Sequence, residues 1–364
     1  MSKVMLRDVC SKGSSNLRQK DVANDGPFPV VGASGVIGST CTYQFDFPYL
    51  AVVKDGAGVG RVIRCEAKSS ILGTMQAIIP GETVSLEYLQ HLLSSMNLSS
   101  YASGATIPHI YFKDYGKATI PVPSLEEQEK ISIKLDRPLD LIESCRTQLV
   151  ALDELVKSRF IEMFGEADNF QRVPLSECVL GIDSGKSPKC TAVPRLGKQP
   201  AVLKLSAISS GAYLESENKA LLPEEQIVQS KEVEAGDILM TRKNTPELVG
   251  MCVLVRETKG NVMFPDLVFR MHPTDKVDGT YLSNLLSGPM FSEVREMAHG
   301  SAKSMSNIPK SELGNLPIPV PPLALQQQFA DFVAKVDKLE FETRQAIGKL
   351  QLLYDSLAQE YFGD

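Results

Sequence analysis

The feature that most restricts how this chain can fold is an internal repeat. The string PVPSLEEQ, Pro121 to Gln128, returns as PVPPLALQ, Pro319 to Gln326, at an offset of 198. The same offset carries Leu149 onto Ile347, Leu152 onto Leu350, Ser158 onto Ser356, Phe164 onto Phe362 and Gly165 onto Gly363. Upstream, Pro80, Val84, Tyr88, Leu89, Leu92 and Leu93 match Pro273, Val277, Tyr281, Leu282, Leu285 and Leu286 at 193. At the chain start, Val4, Leu6 and Asp8 match Val173, Leu175 and Glu177 at 169. Ordered matches at a drifting offset mean duplication with loop insertions, mostly in the second copy. The 364 residues then divide into two similar halves.

Each half reads as a globular part followed by a long helix. Proline clusters at Pro121–Pro123 and Pro319–Pro322 stop the preceding strand. About forty residues follow in which glycine is absent until Gly165, and in the second copy only Gly348 precedes Gly363. Leu135, Ile142, Leu149, Val156 and Met163 recur every seven residues, widened by Leu152 and Phe160. Val333, Ile347, Tyr354 and Tyr361 keep that register in the second copy, beside Leu350 and Leu357. A seven-residue recurrence suits two helices packed along a narrow apolar seam. At 1.5 Å per residue each helix would span roughly 60 Å. Glu340 sits at a seam position, and Pro138 is expected to kink the first helix or mark a restart.

The globular parts read as mixed strand and helix. VVGASGVIGST and YLAVVKDGAGVGRVIRC are β-branched runs broken by glycine turns, and Leu86–Met96 is a short amphipathic helix. In the second half AVLKLSAI, GDILMTRK and VGMCVLVRE read as strands, and Tyr281–Leu286 begins the matching helix. The expected fold class is α+β: two mixed domains separated by two long antiparallel helices, related by a pseudo-two-fold internal repeat. The expected segments are 1–123 and 166–321 for the globular domains and 124–165 and 322–364 for the helices.

Hydrophobic residues at 43% and charged residues at 23% describe an ordinary folded protein. No apolar run approaches a membrane span, and Arg7 and Asp8 interrupt any signal-peptide core, so a cytoplasmic protein is expected. Seven scattered cysteines without a CxxC pair read as reduced thiols rather than a zinc site. The net charge is −6, but each helical segment carries −3, and the rest of the chain holds 28 acidic and 28 basic residues. The acidity is confined to the helices, so the whole-chain charge does not decide the partner.

Candidate catalytic motifs are few. Asp55-Gly56-Ala57-Gly58-Val59-Gly60 follows an apolar strand, as a nucleotide or adenosylmethionine loop does. It lacks the GxGxxG spacing and precedes Arg-Val-Ile-Arg rather than a helix, so a glycine-rich turn is the better reading. His91, His109, His272 and His299 show no metal-ligand spacing, and no nucleophile elbow or phosphate loop is present. A chain without catalytic, metal or cofactor residues of its own is expected. The basic clusters point elsewhere. Ser184–Lys204 holds Lys186, Lys189, Arg195, Lys198 and Lys204 with no acidic residue. Arg242-Lys243, Arg61/Arg64 and the group Lys12, Arg18 and Lys20 add to them. Cations on exposed loops suit phosphate contact and base reading.

Two unlike globular halves, each closed by IPVP(S/P)L…Q and a forty-residue helix, resemble the DNA-specificity (S) subunit of Type I restriction–modification systems. PSLEEQEKI is similar to that family's start of its central helix, and PPLALQQQF to the second copy, with Ala324 and Leu325 replacing the usual acidic pair. VVGASGVIG, SGKSP, GDILMTRK and HGSAKSMSNI resemble phrases of its recognition domains. The resemblance covers essentially the whole chain. It implies that each half reads one part of a split double-stranded DNA site and that the helices set the spacing. It also implies that two modification (M) subunits dock on the helices with adenosylmethionine, and that restriction (R) subunits bring ATP- and Mg-dependent cleavage. Charge and loop position give Lys186, Lys189, Arg195, Lys198, Arg242, Lys243 and Lys303 as the expected DNA-binding residues in the second half, with Lys186 and Lys303 also inside family-like loops. In the first half the expected residues are Lys12, Arg18, Lys20, Lys54 and Arg61. The implied partner surface includes Glu126, Glu127, Gln128, Gln326 and Gln327, whose charge and polarity also complement a helix N-terminus. The competing class is a duplicated coiled-coil scaffold that binds only protein.

Overall fold

The computed structural model describes residues 2–104, 107–165, 170–300 and 305–363. Packing divides the chain into two units that cut across the linear segments. The first holds residues up to Gln148 and those from Glu342 on; the second holds Leu149–Phe341.

In the first unit the strands are β1 (Ser2–Met5), β2 (Cys10–Gly13), β3 (Phe28–Gly32), β4 (Gly35–Thr40), β5 (Tyr49–Val53), β6 (Val62–Cys65), β7 (Ser70–Ile71), β8 (Met75–Pro80) and β9 (Thr119–Val122). They form a four-stranded sheet β2-β8-β5-β6, a three-stranded sheet β4-β3-β7 and a pair β1-β9. In the second unit they are β10 (Arg172–Pro174), β11 (Val179–Ser184), β12 (Ala201–Leu203), β13 (Asn218–Ala220), β14 (Ile238–Thr241), β15 (Lys243–Asn244), β16 (Cys252–Leu254), β17 (Val262–Met263), β18 (Val268–Pro273), β19 (Ser306–Asn307) and β20 (Pro317–Pro319). Their sheets are β11-β18-β14-β16, β13-β12-β17, β10-β20 and the small pair β15-β19. The first three repeat the topology of the first unit strand for strand. In both three-stranded sheets the middle strand pairs antiparallel on one side and parallel on the other.

The apolar run of β5 has a physical cause. Leu50 and Val52 enter one core with Ile78, while Tyr49, Ala51 and Val53 enter another with Met75 and Ala77. A strand covered on both faces needs apolar residues at every position, and its period-2 alternation disappears from the sequence. In β14, likewise, Ile238 and Met240 face one core and Leu239 the other. The sequence-expected strands of the second half are shorter than their runs, VGMCVLVRE extending only over Cys252–Leu254. AVLKLSAI extends only over Ala201–Leu203 and then turns into the short helix Ser206–Ser209, and Lys243 leaves its run to form β15.

Two 40-residue helices, Leu125–Phe164 and Leu323–Phe362, follow the proline clusters. The first does not restart at Pro138. In the first unit Ile131 and Leu135 share a core with Ala358, and Lys134 Nζ donates to the Tyr361 hydroxyl at 2.9 Å. In the second unit Phe160 and Phe164 pack on Phe329, and Arg159 lies over the Phe332 ring. The helices pack with opposite chain direction in each unit. All seven cysteines are unpaired, and burial pushes the Cys10 and Cys252 thiols up to about 12, away from reactivity.

The short helix Leu86–Ser95 is tied to both long helices by His91. Its Nε2 lies 2.9 Å from Asp136 and its Nδ1 3.3 Å from the Tyr354 hydroxyl. That pairing fits the neutral ring, with Nε2–H donating to the carboxylate and Nδ1 accepting from the hydroxyl. Burial lowers the His91 pKa below its ordinary 6.5, although Asp136 opposes the shift. The unfolded chain therefore takes up this proton at higher pH than the folded one. Stability from this site is present above pH 6.5 and is lost as pH falls below it. Thermal melts at pH 7.5 and 5.5 are expected to show a drop for the native chain and a smaller drop for His91→Gln.

Candidate nucleic-acid interface

In the first unit three of the five expected cations converge. Arg18 and, from the two sides of the β5–β6 turn, Lys54 and Arg61 line one recess of about 990 Å³ together with Asn16, Gln19 and Asp55. Arg61 is held across it, its Nη1 donating to the Ala33 carbonyl at 2.8 Å. Asp55 accepts from His109 Nδ1 at 2.7 Å. Lys12, on β2, and Lys20 are exposed and do not line the recess.

The glycine segment beside Lys54 is a turn. It joins the antiparallel strands β5 and β6, with Gly56, Gly58 and Gly60 at φ of +84°, +88° and +89°. At Gly60 a Cβ would come within 2.8 Å of the Ser99 backbone nitrogen. Only glycine fits that place. A phosphate loop runs from a strand into a helix N-terminus, and this one runs from strand to strand.

In the second unit the basic residues separate into different environments. Lys186, Lys189 and Lys198 are exposed. Arg242 is half-buried and held on three sides. Its Nε donates to Asn307 Oδ1 and its Nη1 to Ser184 Oγ, both at 3.2 Å, and its guanidinium lies 5.2 Å from the Phe269 ring centroid. Lys243 pairs across β15-β19 with Asn307. Lys303 lies outside the described residues.

Arg195 corrects the expectation of a loop cation open to DNA. Its side chain is 4% exposed and forms an ion pair with Glu215. The guanidinium also donates to the carbonyls of Gly260 at 2.6 Å and Asn261 at 3.1 Å. It braces one loop against another. Sequence charge cannot separate it from Lys198, because these two carbonyls lie 65 and 66 residues away.

Gln128 and Gln326 are corrected in the same way. Both are 0% exposed and offer no partner surface. Gln128 Oε1 accepts from the Ser85 N–H at 2.8 Å, and its Nε2 donates to the carbonyls of Thr83 and Pro123. Gln326 accepts from the Asp278 N–H at 2.8 Å and donates to the Pro321 carbonyl at 2.8 Å. Each glutamine fastens the first turn of a long helix to the loop before the short helix of its own unit. Glu126, Glu127 and Gln327 are exposed.

The sequence reading missed His109, Asn307 and Ser184. None has a recognisable spacing to its partner, since His109 and Asp55 are 54 residues apart and Arg242 and Ser184 are 58 apart. Among the described residues no group of His, Cys, Asp and Glu can hold a metal ion, and no helix is long and apolar enough to cross a membrane.

Comparison with known proteins fits this duplicated architecture. The Type I restriction modification DNA specificity domain model matches residues 1–152 and 176–351. The chain belongs to that specificity-domain family. Among its relatives, the Type I restriction enzyme EcoEI specificity subunit of Escherichia coli is 29% identical over 223 residues, which are 57% of this chain and 37% of that protein. The EcoKI specificity subunit of Escherichia coli (strain K12) is 22% identical over 287 residues, 73% of this chain and 61% of that one. The chain thus spans less than two thirds of these relatives. The crystal structure of a Type I restriction–modification S subunit from M. genitalium superposes with a TM-score of 0.55 at 14% identity, covering 100% of this chain and 96% of the other. That likeness shows a shared fold.

Within this specificity-domain chain, Arg195 and Lys198 should behave oppositely. Arg195→Ala leaves the mostly buried Glu215 without its ion-pair partner, though still accepting from the Lys259 N–H, and is expected to cost about 1–3 kcal/mol in urea unfolding. Lys198→Ala is expected to stay within about 0.5 kcal/mol of the native chain.

Proposed function

We propose that this chain is the DNA-recognition subunit of a Type I restriction–modification complex. Each unit reads one half of a split site in double-stranded DNA. The two long helices set the number of unread base pairs and dock two M subunits, with exposed Glu126, Glu127 and Gln327 near their starts. The M subunits supply adenosylmethionine chemistry, and the R subunits add ATP- and Mg-dependent translocation and cleavage. The chain itself is a reader and organiser, and catalysis belongs to its partners.

The observation that carries this reading is the duplication itself. A family-matched DNA-specificity fold occurs twice, with the same sheet topology and different cations at the loops. The recess holding Arg18, Lys54 and Arg61 supports it in the first unit, and half-buried Arg242 with the exposed Lys186 and Lys189 supports it in the second. Phosphate contacts would position each unit, and a few side chains would read base edges. The acidic helices would keep clear of the phosphate backbone.

The competing scaffold needs the helices but no cationic recess. Selection from random-sequence duplex DNA by the chain assembled with its M subunit is expected to enrich two short blocks at a constant separation. A protein-only scaffold enriches none. A second expectation concerns the spacing. Inserting one heptad into both helices adds ~10.5 Å of rise, equivalent to roughly three base pairs, and should lengthen the unread spacer by that amount. Unchanged spacing in a folded, DNA-selecting variant would discard the ruler role.

A further inference from the structure

The two units share one backbone node at which their side chains differ. In the first, the Val53 N–H donates to the Arg61 carbonyl, the Gly60 N–H to the Val53 carbonyl and the Ile110 N–H to the Lys54 carbonyl. In the second, the Thr241 N–H donates to Met251, the Gly250 N–H to Thr241 and the Ile308 N–H to Arg242. His109 exchanges both backbone hydrogen bonds with Ser103, and Asn307 exchanges both with His299. Lys54 therefore corresponds to Arg242, and His109 to Asn307.

At several positions in the frame the repeat keeps its side chains. Tyr88 and Tyr281 both donate to a proline carbonyl before a long helix, and Gln128 and Gln326 both staple a helix start. At the node the backbone is kept and the hydrogen-bonding groups change: Lys54 with a His109–Asp55 pair in one unit, Arg242 with Asn307 and Ser184 in the other. A chain that reads two unlike half-sites on one scaffold needs this combination. The Arg242 guanidinium is also held as a planar fork should be. Asn307, Ser184 and the Phe269 ring fix its plane, and among the described residues Nη2 takes no partner. Phosphate contact requires charge but no fixed plane, whereas bidentate reading of guanine O6 and N7 requires both.

Resting on the recognition role proposed above, we propose that this node is the base-reading point of each unit. Arg242 reads a guanine in one half-site, and Lys54 with the His109–Asp55 pair reads the other.

The test is random-sequence duplex selection by the full chain assembled with its M subunit, using Arg242→Lys and His109→Asn. Arg242→Lys keeps the charge and loses the fork. It is expected to weaken the preference for one G·C pair on the order of 10- to 100-fold, with the other half-site unchanged. His109→Asn, which installs the residue of the second unit, is expected to change the base chosen in the opposite half-site only. A wild-type complex that enriches no sequence removes the recognition role and this assignment together. A wild type that enriches a split site overturns the assignment alone if Arg242→Lys selects the same sequence, or binds all sequences more weakly to the same degree. Should Arg242→Lys melt early, Asn307→Ala, which releases the fork, decides by the same G·C pair.

Discussion

Phe164 lies edge-on to Tyr281 with ring centroids 4.8 Å apart, and Phe362 lies edge-on to Tyr88 at 5.3 Å. Each phenylalanine ends the helix that began in the other unit, so each core is completed by a helix its own half did not start. Burying the Phe164 ring contributes about 1.5–3 kcal/mol, the half-buried Phe362 ring less, and the edge-to-face geometry on the order of 1 kcal/mol more. The matched glycines fit this closure. Gly165, at φ +63°, ends the first helix one residue after Phe164, with its N–H on the Ile161 carbonyl. The first unit therefore depends on contacts between Tyr88 and a residue 274 positions later. Closing so long a loop adds little to the equilibrium cost but delays the contact in folding. The first unit cannot complete its core until the last turns of the chain are present.

Much of this frame was legible in the sequence because a repeat exposes which residues the fold keeps. The proline stops, the seven-residue seam and the phenylalanine–glycine endings mark both long helices to within a residue or two. The seam residues Leu135, Ile142 and Val333 are buried as the period requires. The helix runs through Pro138 without a restart because helix propensity is local while helix stability comes from packing. The side chain is buried, its counterpart in the repeat is the buried Val336, and the surrounding core outweighs one missing backbone hydrogen bond. The strands of the four-stranded sheets were readable as apolar runs, but their ends were not. AVLKLSAI leaves its sheet after Leu203 because the next turn packs Ala207 and Ile208 into the same core as β12.

The site was less legible, for a physical reason. Charge on a loop does not say whether the side chain meets water or protein. Arg195 and Lys198 sit three residues apart, and only the first has carbonyls and a carboxylate waiting for it. Gln128 and Gln326 carried a signal that was available and unused. The residues before them change from Glu126-Glu127 to Ala324-Leu325 while the glutamine stays. Polarity useful only to a helix dipole would have drifted with its neighbours. A side chain that must satisfy one N–H and two carbonyls in a closed space has no substitute. His109 and Asn307 carried no such signal, because their partners are set by sheet topology rather than by spacing.

The division between kept and changed residues follows from where free energy is concentrated. Tyr88, Tyr281, Gln128, Gln326 and Phe164 are buried or bonded to backbone, so altering one leaves a cavity or an orphaned polar group. The node at Lys54 and Arg242 is held in place by backbone hydrogen bonds, and its side chains are only half-buried. Exchanging them costs the frame little. A fold in which the backbone sets where the readers stand can change what it recognises with little repacking of its core. The two halves of this chain, alike in topology and unlike at this node, are two outcomes of that freedom.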